Sequence, residues 1–102
     1  MKPENILLVS QDEDNFDIKI ADLGFAQKFD KETGLDLVLG TPLYMAPELV
    51  KHEKYNEKVD VWSLGIITYQ LLSGLTPFDG RNIKKINQNI CQKNVKFTEP
   101  QW

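Results

Sequence analysis

Four short signatures stand in order along the chain: Lys2-Pro3-Glu4-Asn5, Asp22-Leu23-Gly24, Gly40-Thr41-Pro42-Leu43-Tyr44-Met45-Ala46-Pro47-Glu48 and Asp60-Val61-Trp62-Ser63-Leu64-Gly65. Asp22 offers hard carboxylate oxygens of the kind that magnesium takes, Asn5 an amide and Lys2 an ammonium. Taken singly, each has a plain structural reading. An aspartate two residues before a glycine is a turn residue, and an asparagine at a strand edge is a cap. The combination with Lys2 turns both readings toward chemistry. Asn5 and Asp22 are 17 positions apart (22 − 5), so a hairpin between them has to bring them together. His52, between Lys51 and Glu53, reads as a solvated loop residue rather than a base or ligand.

The elements that would position these residues follow from periodicity. Residues 6–9 read as a buried strand, 10–15 as a polar turn, and 17–21 alternate as a second strand, giving a hairpin that ends at Asp22. Residues 25–39 show no sustained period and carry scattered charges plus Gly34, a surface loop of a length that signals function. Pro47 opens a short helix in its first turn. Asp60 is the expected N-cap of a helix running to about Ser73, closed by Gly74 and Pro77. Within it Val61, Trp62, Leu64, Ile66, Ile67, Tyr69, Leu71 and Leu72 leave almost no polar face, so burial on all sides is expected. A last helix over about 82–92 sets Ile83, Ile86 and Ile90 on one stripe. The fold class is α+β. One hairpin, one loop and one amphipathic helix are few to cover such a central helix, so the sequence reads as part of a larger domain.

With 41% hydrophobic and 26% charged residues, the chain has the composition of an ordinary globular protein. A net charge of −3 gives no basic field for nucleic acid or anionic lipid, and neither is expected as a partner. Cys91 stands alone, which argues against a disulfide framework or cysteine metal cluster and for a reduced, cytoplasmic (intracellular) setting. No run approaches the roughly 18 apolar residues of a membrane span. Residues 1–5 are polar and the apolar run after them is too short for a signal core.

The four signatures, in this order and at these spacings, resemble the protein kinase family, and the resemblance covers essentially the whole chain, 1–102, as a partial kinase-like C-terminal lobe. The resemblance implies ATP and Mg2+ as cofactors and proteins bearing Ser or Thr as substrates. It implies that Asp22 and Asn5 hold magnesium, that Lys2 contacts the transferring phosphate, and that Thr41 bonds the catalytic aspartate and Lys2. Leu7 is similar to the floor of the adenine pocket and Ala21 to the residue behind the phosphates, although plain core packing serves both equally. Gly40, Thr41, Pro42, Leu43 and Tyr44 fall in the substrate-docking segment, with Leu43 facing the residue after the phosphoacceptor. Glu4 after Lys2-Pro3 marks the serine/threonine branch. In members favouring basic substrates such a glutamate contacts an arginine, and a second acid often follows the tyrosine of the central helix, where this chain has Gln70. Asp60 resembles the aspartate that caps this helix and bonds the catalytic loop.

Departures from the pattern set further expectations. Leu23 replaces the usual phenylalanine and stays apolar. The glycine-rich loop, the strand lysine, the helix glutamate and the His-Arg-Asp base are expected upstream of Met1, and the arginine partner of Glu48 well downstream, so the 102 residues alone are expected to be inactive. A pseudokinase or a truncated interaction module is the alternative. The closing stretch, Thr76-Pro77-Phe78-Asp79-Gly80 through Pro100-Gln101-Trp102, looks most like the calmodulin-dependent and calcium-dependent kinase group, with regulation acting through regions outside this chain. Between Asp22 and Glu48 the hydroxyls are Thr33, Thr41 and Tyr44. Leu37 stands where a switching residue usually lies and Asp36 beside it supplies a fixed charge, so no activating phosphorylation is expected, with Thr33 as the other candidate.

Overall fold

The computed structural model describes residues 1–28, 35, 38–98, 100 and 102. Its two apolar runs pair as expected around the polar turn. β1 (Ile6–Leu8) and β2 (Ile18–Ile20) are antiparallel, with Ile6 opposite Ile20 and Leu8 opposite Ile18. Short polar side chains set the turn: Asp12 N–H donates to Ser10 Oγ at 3.0 Å, Asp14 N–H to Asp12 Oδ1 at 3.2 Å and Asp17 N–H to Asn15 Oδ1 at 2.9 Å. The ladder outlasts the strands at both ends. Val9 N–H reaches the Asp17 carbonyl at 3.0 Å and Ala21 N–H reaches the Asn5 carbonyl at 2.8 Å. Burial differs from the sequence expectation. Leu8 is 70% exposed and all of β2 is exposed, because only Ile6 of the hairpin packs against the core and no described element covers the rest.

Among the described residues, three α-helices come after the hairpin: α1 (Pro47–Val50), α2 (Lys58–Ser73) and α3 (Ile83–Gln92). Pro47 opens α1 as its residue type demands. α2 starts a turn earlier than the Asp60 cap predicted. Asn56 Oδ1 accepts from Lys58 N–H at 3.0 Å, and the N–H groups of Val59 and Asp60 fold back onto the Asn56 and Glu57 carbonyls. Asp60 therefore lies exposed inside the first turn, where its charge favours the positive helix end, and its carboxylate makes no hydrogen bond among the described residues. The C-terminus ends as read: Gly74 adopts φ +72° and returns its N–H to the Gln70 carbonyl at 2.8 Å.

The core is Tyr44, Ile66, Ile67, Phe78 and Ile90, with Trp62 stacked on Phe78 at 5.8 Å. Tyr44 ends a 3-10 turn, Pro42–Tyr44, and is tied to α2 twice: Ser63 Oγ donates to its carbonyl at 2.9 Å, and its own hydroxyl donates to Gln70 Oε1 at 2.9 Å. α3 packs against that turn and α1, and Asn89 Nδ2 donates to the Asp79 carbonyl at 2.6 Å. Ile90 of its stripe is buried and Ile86 partly so, while Ile83 stays exposed. Tyr69 meets the chain's final stretch, donating its hydroxyl to the Lys96 carbonyl at 2.9 Å and stacking on Trp102. The all-round burial expected of α2 is not found. Ser63, Ile66, Ile67 and Tyr69 are inside, but Val61, Leu64 and Leu71 are 67, 51 and 77% exposed, because the described elements cover one side of an all-apolar helix. Thr33, Gly34, Asp36 and Leu37, on which the phosphorylation expectation turns, lie outside the described residues.

An apolar helix face left open promotes association. The purified 102-residue chain should sediment as oligomers and shift to monomer in a Leu64→Lys, Leu71→Lys variant; a monomeric unsubstituted chain would contradict this. A second outcome concerns Tyr44, whose phenol is pushed above its ordinary value by burial and by the nearby Glu4 charge, with the hydrogen bond it makes to Gln70 acting the other way. Its stabilising effect is thus complete below the unfolded value of about 10 and declines as pH rises past it. In melts of the lysine variant, Tyr44→Phe should cost about 1 kcal/mol at neutral pH and flatten the loss above pH ~10.

Candidate functional site

A cleft of about 620 Å³ opens between the hairpin end and the helical part. The lining comes from two stretches of chain, one wall from the hairpin end (Lys2, Asn5, Ala21 and Asp22) and a second wall from later segments (Leu35, Leu39, Gly40, Thr41, Tyr55 and Asn56), with Tyr44, Val59 and Ser63 also lining it. The first wall is built by local chain geometry. Pro3 begins a 3-10 turn, Pro3–Asn5, whose N-cap is Lys2, and Asn5 N–H closes it onto the Lys2 carbonyl at 3.1 Å. The Ala21-to-Asn5 backbone bond then brings Asp22 off the sheet beside that turn.

Asp22 sits at φ +57°, a left-handed conformation that aspartate tolerates better than most residues. Its Oδ1 accepts from Gly24 N–H at 3.3 Å, and a Cβ at position 24 would stand 3.2 Å from that same oxygen. Glycine at 24 therefore leaves the carboxylate room. Among the described residues, Oδ2 of Asp22, the Asn5 amide and the Lys2 ammonium make no hydrogen bond or ion pair. Two hard oxygen donors and a cation thus share one wall. In the second wall, Gly40 takes φ +132°, a conformation open to glycine alone in practice, and releases the chain into Thr41 and the 3-10 turn.

Of the expected site residues, the cleft gathers Lys2, Asn5, Ala21, Asp22, Gly40, Thr41 and Tyr44. Glu4, Leu7, Pro42 and Leu43 do not line it. Leu7 is half exposed on β1 opposite Lys19, and Leu43 packs against the core. Glu4 is exposed, though its charge is felt at the Tyr44 phenol. Glu48 is partly buried and Arg81 exposed, with no ion pair between them among the described residues. His52 is exposed in the loop after α1. Leu35, Tyr55 and Asn56 line the cleft without having been expected there. Their one signal in the sequence is the apolar run that Leu35 opens with Leu37, Val38 and Leu39, which does not by itself mark a cleft.

The protein kinase domain family model matches residues 1–102. Among curated proteins, the chain is 46% identical over 92 residues to serine/threonine-protein kinase ATG1c of Arabidopsis thaliana, covering 90% of this chain and 12% of that protein. Serine/threonine-protein kinase ATG1a of the same plant is 42% identical over 100 residues, covering 97% of this chain and 16% of that protein. Myosin light chain kinase A of Dictyostelium discoideum is 39% identical over 102 residues, all of this chain and 34% of that protein. The chain therefore spans between about an eighth and a third of the length of these relatives. A hairpin followed by helices among the described residues agrees with that match. The chain belongs to the protein kinase domain family, with serine/threonine kinases among its relatives.

Proposed function

We propose that the protein carrying this chain is an ATP- and magnesium-dependent serine/threonine protein kinase that phosphorylates protein substrates. The observation that carries the reading is that Lys2, Asn5 and Asp22 line one cleft together with Gly40 and Thr41. Phosphoryl transfer asks for positioning and charge neutralisation more than for covalent chemistry, and this wall has the donors for both. Magnesium keeps several waters and takes one or two protein oxygens plus phosphate oxygens, which fits an exposed Asp22 carboxylate with an unbonded Oδ2 and the Asn5 amide oxygen. When bound, the ion neutralises phosphate charge. Lys2 would contact the transferring phosphate, Ala21 would line the space behind it, and Leu7 would underlie the base. Thr41 and its neighbours Gly40, Pro42, Leu43 and Tyr44 would hold the acceptor segment.

Substrate preference follows from Glu4, whose exposed carboxylate suits a basic side chain. The acceptor oxygen of Gln70 is already taken by the Tyr44 hydroxyl, so a second cation gains nothing there. Membership of the calmodulin-dependent and calcium-dependent group rests on the closing stretch from Thr76 through Trp102, with any such regulator acting outside this chain. A free Cys91 and the absence, among the described residues, of a helix long and apolar enough to cross a membrane accord with an intracellular enzyme.

Asp22→Asn keeps the turn geometry and removes the negative charge. In the full-length protein this change should abolish phosphate transfer to a protein acceptor. Turnover within about tenfold of the unsubstituted enzyme, only ~1.4 kcal/mol, would remove Asp22 from this role.

A further inference from the structure

We infer that the backbone bridge between Leu35 and Tyr55 is a clasp that positions the substrate-facing wall of the cleft, an inference that rests on the kinase reading above. Leu35 lies in the segment that leads to Gly40, and Tyr55 in the connection between α1 and α2. The two exchange both main-chain bonds, Leu35 N–H to the Tyr55 carbonyl at 3.1 Å and Tyr55 N–H to the Leu35 carbonyl at 3.3 Å. Both are partly buried and both line the cleft.

The wall is then held at two points. Downstream, Tyr44 is fastened to α2 through Ser63 and Gln70. Upstream, the clasp fastens Leu35 to the loop that enters α2. The span between them carries Gly40 and Thr41, so the stretch that brings these two residues to the cleft is fastened on both sides. The hairpin wall depends on something else. Lys2, Asn5 and Asp22 are placed by the hairpin and its Ala21-to-Asn5 bond, which the clasp does not touch. Loss of the clasp should therefore weaken engagement of the protein acceptor and spare nucleotide handling. Because the clasp is made of main-chain groups, it needs an N–H at position 35 and an extended backbone, not a particular side chain.

The test uses the full-length protein carrying this chain, with myelin basic protein as acceptor. Leu35→Pro deletes the N–H, whereas Leu35→Val keeps it and favours extended backbone. The clasp predicts that Leu35→Pro raises KM for the acceptor about tenfold while kcat and KM for ATP change by less than about twofold, and that Leu35→Val behaves as the unsubstituted protein. Equal losses in both variants, or a fall in kcat at unchanged acceptor KM, would overturn it. A cysteine pair, Leu35→Cys with Tyr55→Cys, covers the case in which proline simply unfolds the loop. Residues that exchange both bonds stand with Cα atoms about 5.5 Å apart, within disulfide reach. The oxidised pair should keep the acceptor KM of its reduced form within about twofold. Loss of acceptor phosphorylation on oxidation, restored by reductant, would mean that the bridge has to open and would overturn the clasp alone. No transfer by the unsubstituted protein would overturn the kinase reading, and the clasp with it.

Discussion

The attachment of Tyr44 to α2 is the joint on which the rest of the structure depends. Its ring belongs to the core with Ile66, Ile67, Phe78 and Ile90, its carbonyl takes the Ser63 hydroxyl, and its own hydroxyl is spent on Gln70. A buried polar group left unpaired is costly, so the Ser63 and Tyr44 bonds fix the registry of the 3-10 turn on the helix. The same residue lines the cleft. Packing in the core and placement of Thr41, three positions earlier (44 − 41), are therefore one event.

The hairpin wall is set by a different kind of constraint. There is little burial in the hairpin, and the geometry comes from backbone pairing that continues past the strands until Ala21 meets Asn5. Directly after that bond the chain takes a tight left-handed step at Asp22, closed by Gly24. A carboxylate placed in this way is exposed to solvent and held at one oxygen by the Gly24 N–H.

Much of this was legible in the residues. The hairpin could be read because two apolar runs flank a turn of Ser, Asp and Asn, and the end of α2 because Gly74 alone tolerates its φ of +72°. Three features were not legible, for physical reasons. Asp60 has the type of a cap, but Asn56 stands four positions earlier and claims the Lys58 N–H first. Apolar residues on β1 and α2 announce that they need cover without saying whether the neighbouring elements supply it, and here those elements cover only Ile6 and one side of the helix. The Leu35–Tyr55 bridge joins two irregular stretches through main-chain groups, and main-chain pairing between loops leaves no trace in side-chain periodicity. The cleft lining divides in the same way: Lys2, Asn5, Asp22 and Thr41 sit in local motifs, while Tyr55 and Asn56 reach the cleft through tertiary placement.

The central claim is that Asn5 and Asp22 act as one oxygen pair toward a magnesium-bearing nucleotide. Calorimetric titration of ATP into the full-length protein, with and without magnesium, tests it most directly through Asn5→Ala, which leaves every carboxylate in place. The account predicts that magnesium strengthens ATP binding to the unsubstituted protein and that Asn5→Ala loses most of that gain while keeping the metal-free affinity. Identical magnesium dependence in the two proteins would contradict it.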